Sequence, residues 1–479
     1  MTTPHPHTTD TTGSFPAPPP GCPAHGMGGA GAPHRLYGPV AESDPSALYE
    51  ALRKEHGPVA PVLLHGDLPA WLVLGHRENL EVMRSPSRFS RDSRHWRMFQ
   101  EGRVAPDSPL RPMVEWQPIC VFADGAEHER LRSAVTDSLE QFDRRGIRRY
   151  VIRYTNQLVD AFAATGQADL IGDFAEKLPM LVMTQLLGMP EEYGPRLVDS
   201  ALDLMKGSET ALASNDFLVR TLRTLTERKK AHPGHDLPSR LISHAAELSD
   251  DEVLEHLRLV LVAANETTVN LIANTLHLVL TDRRFRASLA GGHMTLPDAL
   301  EQVLWDAPPL SAIPGRWATG DTLLGGQRIS AGDMLLLGVA AGNVDPEIRP
   351  DLSAPLQGNR AHLSFSSGPH ECPGQDIGRA IADTGIDTLL SRLPDLQLAV
   401  GDEELTTRAA WLSKRLEALP VRFTPPQEAL EGNGKKPADF ASTMPGPLPE
   451  AVPVAVPATA ELERPARVPW WKSIFQRGR

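Results

Sequence analysis

The sequence predicts a large, mainly α-helical fold with a little sheet late in the chain. Three observations carry that reading. Long stretches place apolar residues three and four apart, as in EHERLRSAVTDSLEQF (127–142), YVIRYTNQLVDAFAA (150–164), DFAEKLPMLVMTQLLG (173–188) and DEVLEHLRLVLVAANETTVNLIANTLHLVLTD (251–282); this is the spacing of one helix face. TLLGGQRISAGDMLLLGVA (322–340) reads instead as short strands, with Gly325-Gly326 and Ala331-Gly332 as turns. The chain has 479 residues and is 41% hydrophobic, enough for one large domain or two medium ones.

The elements follow in order. Residues 1–36 are rich in Thr, Pro, Gly and His and bury little, so they are expected to be disordered. The folded body is expected over 37–424. DPSALYEALRKEHG (44–57) has helical spacing and a stop at Gly57, and AWLVLG (70–75) reads as a strand. The apolar run Leu257 to Leu280 carries Arg258, Asn265, Glu266 and His277, so it reads as a buried helix and not a membrane span. A Pro/Ala-rich linker (425–463) and a basic, aromatic tail (464–479) close the chain. No internal repeat is visible.

Composition excludes several function classes. A net charge of −12 argues against non-specific nucleic-acid binding. Three cysteines, Cys22, Cys120 and Cys372, are too scattered for a disulfide framework. The N-terminus lacks a basic region followed by an apolar core, and mean hydropathy is −0.26. A soluble cytoplasmic protein is the expectation.

The stretch SFSSGPHECPG (364–374) holds a lone cysteine before a helical run. Unpaired N–H groups and the helix dipole at such an N-terminus favour a thiolate. As a nucleophile, Cys372 has only His370 nearby as a base. A zinc site wants further Cys or His ligands at regular spacing, and none is near. A haem needs one protein thiolate. An inert buried cysteine is the commonest fate. The loop alone leaves these readings open.

The motifs along the chain narrow the choice. HLSFSSGPHECPG resembles the cysteine-ligand loop of cytochromes P450, Phe-Gly-x-Gly-x-His/Arg-x-Cys-x-Gly. Phe365, Gly368, His370, Cys372 and Gly374 match, and Ser366 replaces the usual glycine. WLVLGHRENLEVMRSPSRFSRD (71–92) resembles the family's early strand and helix. DGAEHERLR resembles its His-x-x-x-Arg, VAANETTVNLI its oxygen-binding helix, and PGRWATGDTLLGGQRISAGD its late strand with a propionate arginine.

The resemblance implies a P450 fold and a haem-thiolate monooxygenase with heme b, Cys372 being the axial ligand. It implies propionate contacts from His128, Arg132, Arg316 and His370, and places Phe365 and Gly374 in the cofactor-binding loop. Glu266 and Thr267 would deliver protons during oxygen activation; the bland reading is a back-bonded threonine and a paired glutamate. Substrate contacts would come from 93–120, from Val262 and Ala263, and from Ser311 to Ile313. No G-x-G-x-x-G follows a strand, so electrons for a small-molecule substrate would come from a ferredoxin-type donor.

Some residues depart from the family pattern. Ala264 replaces a glycine and adds a methyl near the oxygen site. In ALEQVLWDAPPL the Glu-x-x-Arg positions hold Gln302 and Trp305, with Glu301 one residue off register and turned by about 100°. Ala354, followed by Pro355, takes the place of the third ion-triad member. Losing all three charges together avoids leaving one buried charge unpaired, with Trp305 filling the volume and Gln302 hydrogen-bonded nearby. The pattern resembles a small bacterial P450 subgroup with Gln and Trp at these positions, some encoded beside signalling proteins. A second expectation is therefore a non-catalytic or sensory haem-thiolate protein in a signalling complex. The tail RPARVPWWKSIFQRGR suits a peripheral membrane contact or a docking peptide.

Overall fold

The computed structural model describes residues 33–426, apart from 39–40, 42, 107, 191–192, 195, 198, 201–210, 283–294, 355, 357 and 410. The expected N-terminal segment up to residue 32, the basic tail, nearly all of the linker and Pro355 lie outside the described residues.

The first strand, β1 (His34–Arg35), runs parallel to β2 (Val59–Leu64), and Leu36 behind it is buried. Residues 34–36 therefore belong to the folded body, slightly ahead of the expected boundary at 37. Helix α1 (Pro45–His56) begins where Asp44 accepts a hydrogen bond from the Ala47 N–H at 3.1 Å, and it ends at Gly57 with φ of 80°. Strand β3 (Leu68–Val73) is buried throughout and pairs antiparallel with β2. Helix α2 (His76–Arg84) and β4 (Phe89–Ser90) follow.

Helix α3 spans Gly125–Glu140, and α4 spans Arg144–Phe162. Asp143 caps α4, accepting from the N–H groups of Arg145 and Gly146 at 3.2 and 3.1 Å. After β5 (Gln167–Asp169), the expected helix 173–188 divides: a wide turn at Ile171–Ala175 precedes α5 (Leu178–Leu186). Pro179 lies in the first turn of α5, where its missing N–H costs nothing.

Helices α6 (Ala211–Ala231) and α7 (Leu237–Ser243) lead to α8 (Asp250–Thr281), which starts with a Ser249/Glu252 capping box. Helix α8 is long and apolar enough to cross a membrane, but it packs against α5, α6 and α7 and lies in the main core. Helix α9 (Leu296–Asp306) opens with a Thr295/Asp298 box. Strand β6 (Ile313–Ala318), the β7–β8 hairpin (Thr322–Leu324, Gln327–Ile329) and β9 (Met334–Leu337) follow, as the sequence predicts. Helix α10 (Gln375–Arg392) crosses α4, α8 and α9.

The larger sheet has the order β1-β2-β3-β9-β6-β4. The C-terminal strands β10 (Gln397–Leu398) and β13 (Pro420–Arg422) join β5, while β11 (Thr407–Ala409) and β12 (Lys414–Leu416) form a hairpin. Two smaller cores cover the larger sheet, and the main core surrounds α8. Between them lie the cysteine loop, the start of α3 and the β6 bulge.

Candidate haem-thiolate site

The cysteine loop is a folded unit before any cofactor is considered. Cys372 N–H donates to Phe365 O at 2.8 Å, and a short turn over Gly368–His370 lies between them. Gly368 has φ of 73°, and a Cβ there would sit 2.9 Å from Met83 O and 3.2 Å from Arg84 Cα. Only glycine fits against the end of α2. Ser366, where the family usually has glycine, also has a left-handed φ, 62°. That conformation is uncommon for a side-chain-bearing residue. Arg84 Nε fastens the loop by donating to Ser367 Oγ at 2.9 Å.

Cys372 heads α10. Burial pushes its thiol up, opposed by a hydrogen bond from the Gly374 backbone. No protein atom lies within 4 Å of a Cβ built at Gly374, so the loop is open there. A thiol raised by burial becomes a thiolate when a cation takes its proton's place.

The expected cations gather from three elements. A bulge at Pro314–Gly315 breaks the β6–β9 register before Arg316 and turns its side chain inward. Arg91, which the sequence reading did not single out, holds the bulge by donating to Pro314 O and Gly315 O at 2.7 and 2.6 Å. His128 on α3 and His370 of the loop bring their ring centroids within 4.1 Å. Arg316 Nε and Nη1, His128 Nε2 and His370 Nε2 are all buried without a hydrogen-bond partner. Burial pushes Arg316 well below its usual value, with repulsion from Arg91 adding to it, and pushes His370 down to about 3. Asp124 Oδ2 accepts from Ser90 Oγ and from the Arg91 N–H, while its Oδ1 faces His370 Nε2 at 3.6 Å, an ion-pair distance too long for a hydrogen bond.

Buried donors without acceptors are costly, and an anion removes the cost. Haem carries two carboxylates and fits this set. Arg132 stands apart: its Nη2 donates to Glu371 O and its Nε to Thr136 Oγ1. It lines a cleft of about 600 Å³ with Glu371, Cys372 and Asp376. In this structure Arg132 braces the cysteine loop, while Arg316, His128 and His370 offer the unpaired donors.

Helix α8 continues without a break through Ala264, so the added methyl does not interrupt it. Thr267 Oγ1 donates to Ala263 O at 2.6 Å, the back-bonded arrangement. Glu266 Oε1 accepts from Ser413 Oγ at 3.4 Å, a contact from the β11–β12 turn that the sequence reading missed. Val262, 68% exposed, and Ala263 leave an apolar surface one turn before Glu266. In the 93–120 segment, Trp96 is buried against Trp317 and Trp116 lies under Arg94, so both serve packing.

The triad region holds the main correction. Trp305 does fill the volume: it is 1% exposed, its Nε1 donates to Asn359 O at 2.9 Å, and Arg349 lies over its ring at 5.3 Å. A tryptophan buried this fully contributes about 3–5 kcal/mol. Gln302 donates to Asp306, as expected of a hydrogen-bonded neighbour. The charges, however, are not lost. Glu301 is buried against Arg379 of α10, and Arg349 pairs with Asp306 at 2.7 Å. The one-residue offset turned the carboxylate into the protein, where α10 meets it.

Comparison with known proteins agrees with this geometry. The chain is 32% identical over 394 residues to cytochrome P450-SU2 of Streptomyces griseolus, covering 80% of this chain and 95% of that protein. It is 31% identical over 408 residues to the vitamin D(3) 25-hydroxylase of Pseudonocardia autotrophica, covering 82% and 97%. Among solved structures, CYP154A1 from Streptomyces coelicolor A3(2) matches with a TM-score of 0.70 at 29% identity, over 79% of this chain and 98% of that one. No family model matches the chain.

Proposed function

This chain belongs to the cytochrome P450 family, and from that premise we propose that Cys372 ligates its haem, that Arg316, His128 and His370 hold the propionates, and that Glu266 and Thr267 manage protons. The protein is a haem-thiolate monooxygenase with cysteine-ligated heme b, an oxidoreductase of the class that works with ferredoxin-type donors and small-molecule substrates. Bound haem supplies the redox centre that activates dioxygen and transfers one oxygen atom to the substrate. The observation that carries the residue assignments is the cluster of buried nitrogens without hydrogen bonds on Arg316, His128 and His370, the last of them two residues before Cys372. Phe365 and Gly374 shape the loop through their backbone bonds to Cys372.

Thr267 donates its own proton to Ala263 O and keeps its oxygen lone pairs as acceptors. Glu266 is half-buried and neighbours Ser413, so it can exchange protons with the outside and pass them inward. With reconstituted ferredoxin-type partners, Glu266→Gln should slow product formation by about 10²-fold. Thr267→Ala should keep NADH consumption but divert it to hydrogen peroxide. Unchanged rate and coupling in both variants would remove these residues from the proton path. The relatives are named as hydroxylases and P450s, which favours turnover over the sensory alternative.

The C-terminal tail adds a peripheral contact to this reading. Its arginines and Trp470-Trp471 suit an anionic membrane surface. Full-length protein should co-sediment with anionic phospholipid vesicles, and a chain ending at Pro425 should not. Equal partition of the two would dismiss the membrane contact.

A further inference from the structure

We infer that Glu301, Arg379 and His362 anchor the cysteine loop to α9 and α10 in this chain, whose Glu-x-x-Arg positions hold Gln302 and Trp305. The inference rests on Cys372 being the haem ligand.

Glu301 is 6% exposed. Its Oε1 meets Arg379 Nη1, with Arg360 Nε 3.6 Å away, and its Oε2 lies 3.2 Å from His362 Nε2. Arg379 Nη2 is also 3.2 Å from that ring nitrogen. These residues come from α9, from α10 and from the segment entering the cysteine loop. Arg379 then stacks over Phe365, its Cζ 4.8 Å from the ring centroid. Phe365 O receives the Cys372 N–H. A continuous path therefore runs from the α9 carboxylate, through a guanidinium and an aromatic ring, to the backbone of the ligand. Two neutral bonds reinforce it: Ser364 Oγ donates to Leu304 O at 2.5 Å, and Asn343 bridges Leu304 O and the Leu363 N–H at 2.9 and 2.8 Å.

The position explains why the ordinary register can hold Gln302. The side chain of that residue lies on the outer side of α9 and donates to Asp306. It is Glu301, its neighbour, that joins α9 to the cysteine loop. Arg379 and Glu301 are positioning residues: neither needs to touch haem, and both set where the sulfur sits. Outer residues that orient a metal ligand typically contribute 10–100-fold to metal retention.

The test uses full-length holoprotein and two readouts besides turnover: the Soret band of the reduced carbon monoxide complex, and haem transfer to apomyoglobin. Glu301→Gln and Arg379→Gln should each shift part of the population to the neutral-thiol band and speed haem transfer about tenfold. Arg379→Lys, which keeps the charge, should recover part of both. Gln302→Ala should match the parent. A single variant with one stranded buried charge can fail to fold, so the Glu301→Gln/Arg379→Gln double is included. It removes both charges, should fold, and should still show the mixed band and faster transfer. A double variant with parental band and transfer rate overturns the inference, as does Gln302→Ala matching Glu301→Gln. Cys372→Ser is the separate control: a retained thiolate band there would overturn the ligand assignment.

Discussion

Replacing Cys372 with serine is expected to abolish the strongly red-shifted Soret band of the dithionite-reduced protein under carbon monoxide. The band depends on thiolate electron density reaching the iron, and a serine hydroxyl keeps its proton at neutral pH. Haem would still meet Arg316, His128 and His370, so pigment should remain while the band moves to the neutral-ligand position. The substitution is nearly isosteric, and the bond from residue 372 N–H to Phe365 O is a backbone one, so the loop itself should survive. Cys120 offers no rescue. It is buried at 3% exposure, burial pushes its thiol up to about 11, and its backbone N–H is tied to His256. Cys120→Ser should accordingly leave the band in place. A red-shifted band surviving in Cys372→Ser would mean that another thiolate holds the iron.

Replacing Arg316 with leucine should move two measurements in opposite directions. In the haem-free chain Arg316 is a buried cation with two unpaired nitrogens, beside the like charge of Arg91. Leucine removes that penalty, so the melting temperature of the apoprotein should hold or rise. In the loaded protein the same substitution removes charge-assisted bonds worth about 1.5–3 kcal/mol each. Losing two of them should weaken haem binding by about 10²–10⁴-fold, at roughly 1.4 kcal/mol per tenfold. Thermal melts of apoprotein and haem titrations of both chains measure the pair. A lower apoprotein melting temperature with unchanged haem affinity would make Arg316 a structural residue of the bulge.

The parts of this molecule that were legible in its sequence are those determined by neighbours in the chain. Helices α1, α3 and α8 follow their apolar spacing and caps to within a few residues, α4 begins at Arg144 instead of the expected Tyr150, and Gly325-Gly326 marks the β7–β8 hairpin. The cysteine loop was legible because its backbone geometry demands particular residues at particular positions, Gly368 above all. The pairing of Glu301 with Arg379 was not. On paper, Glu301 is a carboxylate beside the expected position and Arg379 is a charge on a polar helix. Only the crossing of α9 and α10 makes them buried partners. Arg91 was hidden for a similar reason, since its value lies in two carbonyls more than 220 residues away. The split before α5 was missed because apolar periodicity runs across a turn that Pro179 and its approach impose.

The seat of the cysteine loop on α2 also has a temporal consequence. The bond between Arg84 and Ser367 spans 283 positions, and Gly368 rests on the backbone of Met83 and Arg84. Closing so long a loop forfeits chain entropy before any contact repays it. During synthesis the first partner emerges early and waits for most of the chain. The cysteine loop is therefore seated late, after α8 and α9 have been made. On the proposed assignments, a nascent chain that stalls before residue 372 has made His128 on α3 and Arg316 on β6 but lacks the cysteine that would hold the iron.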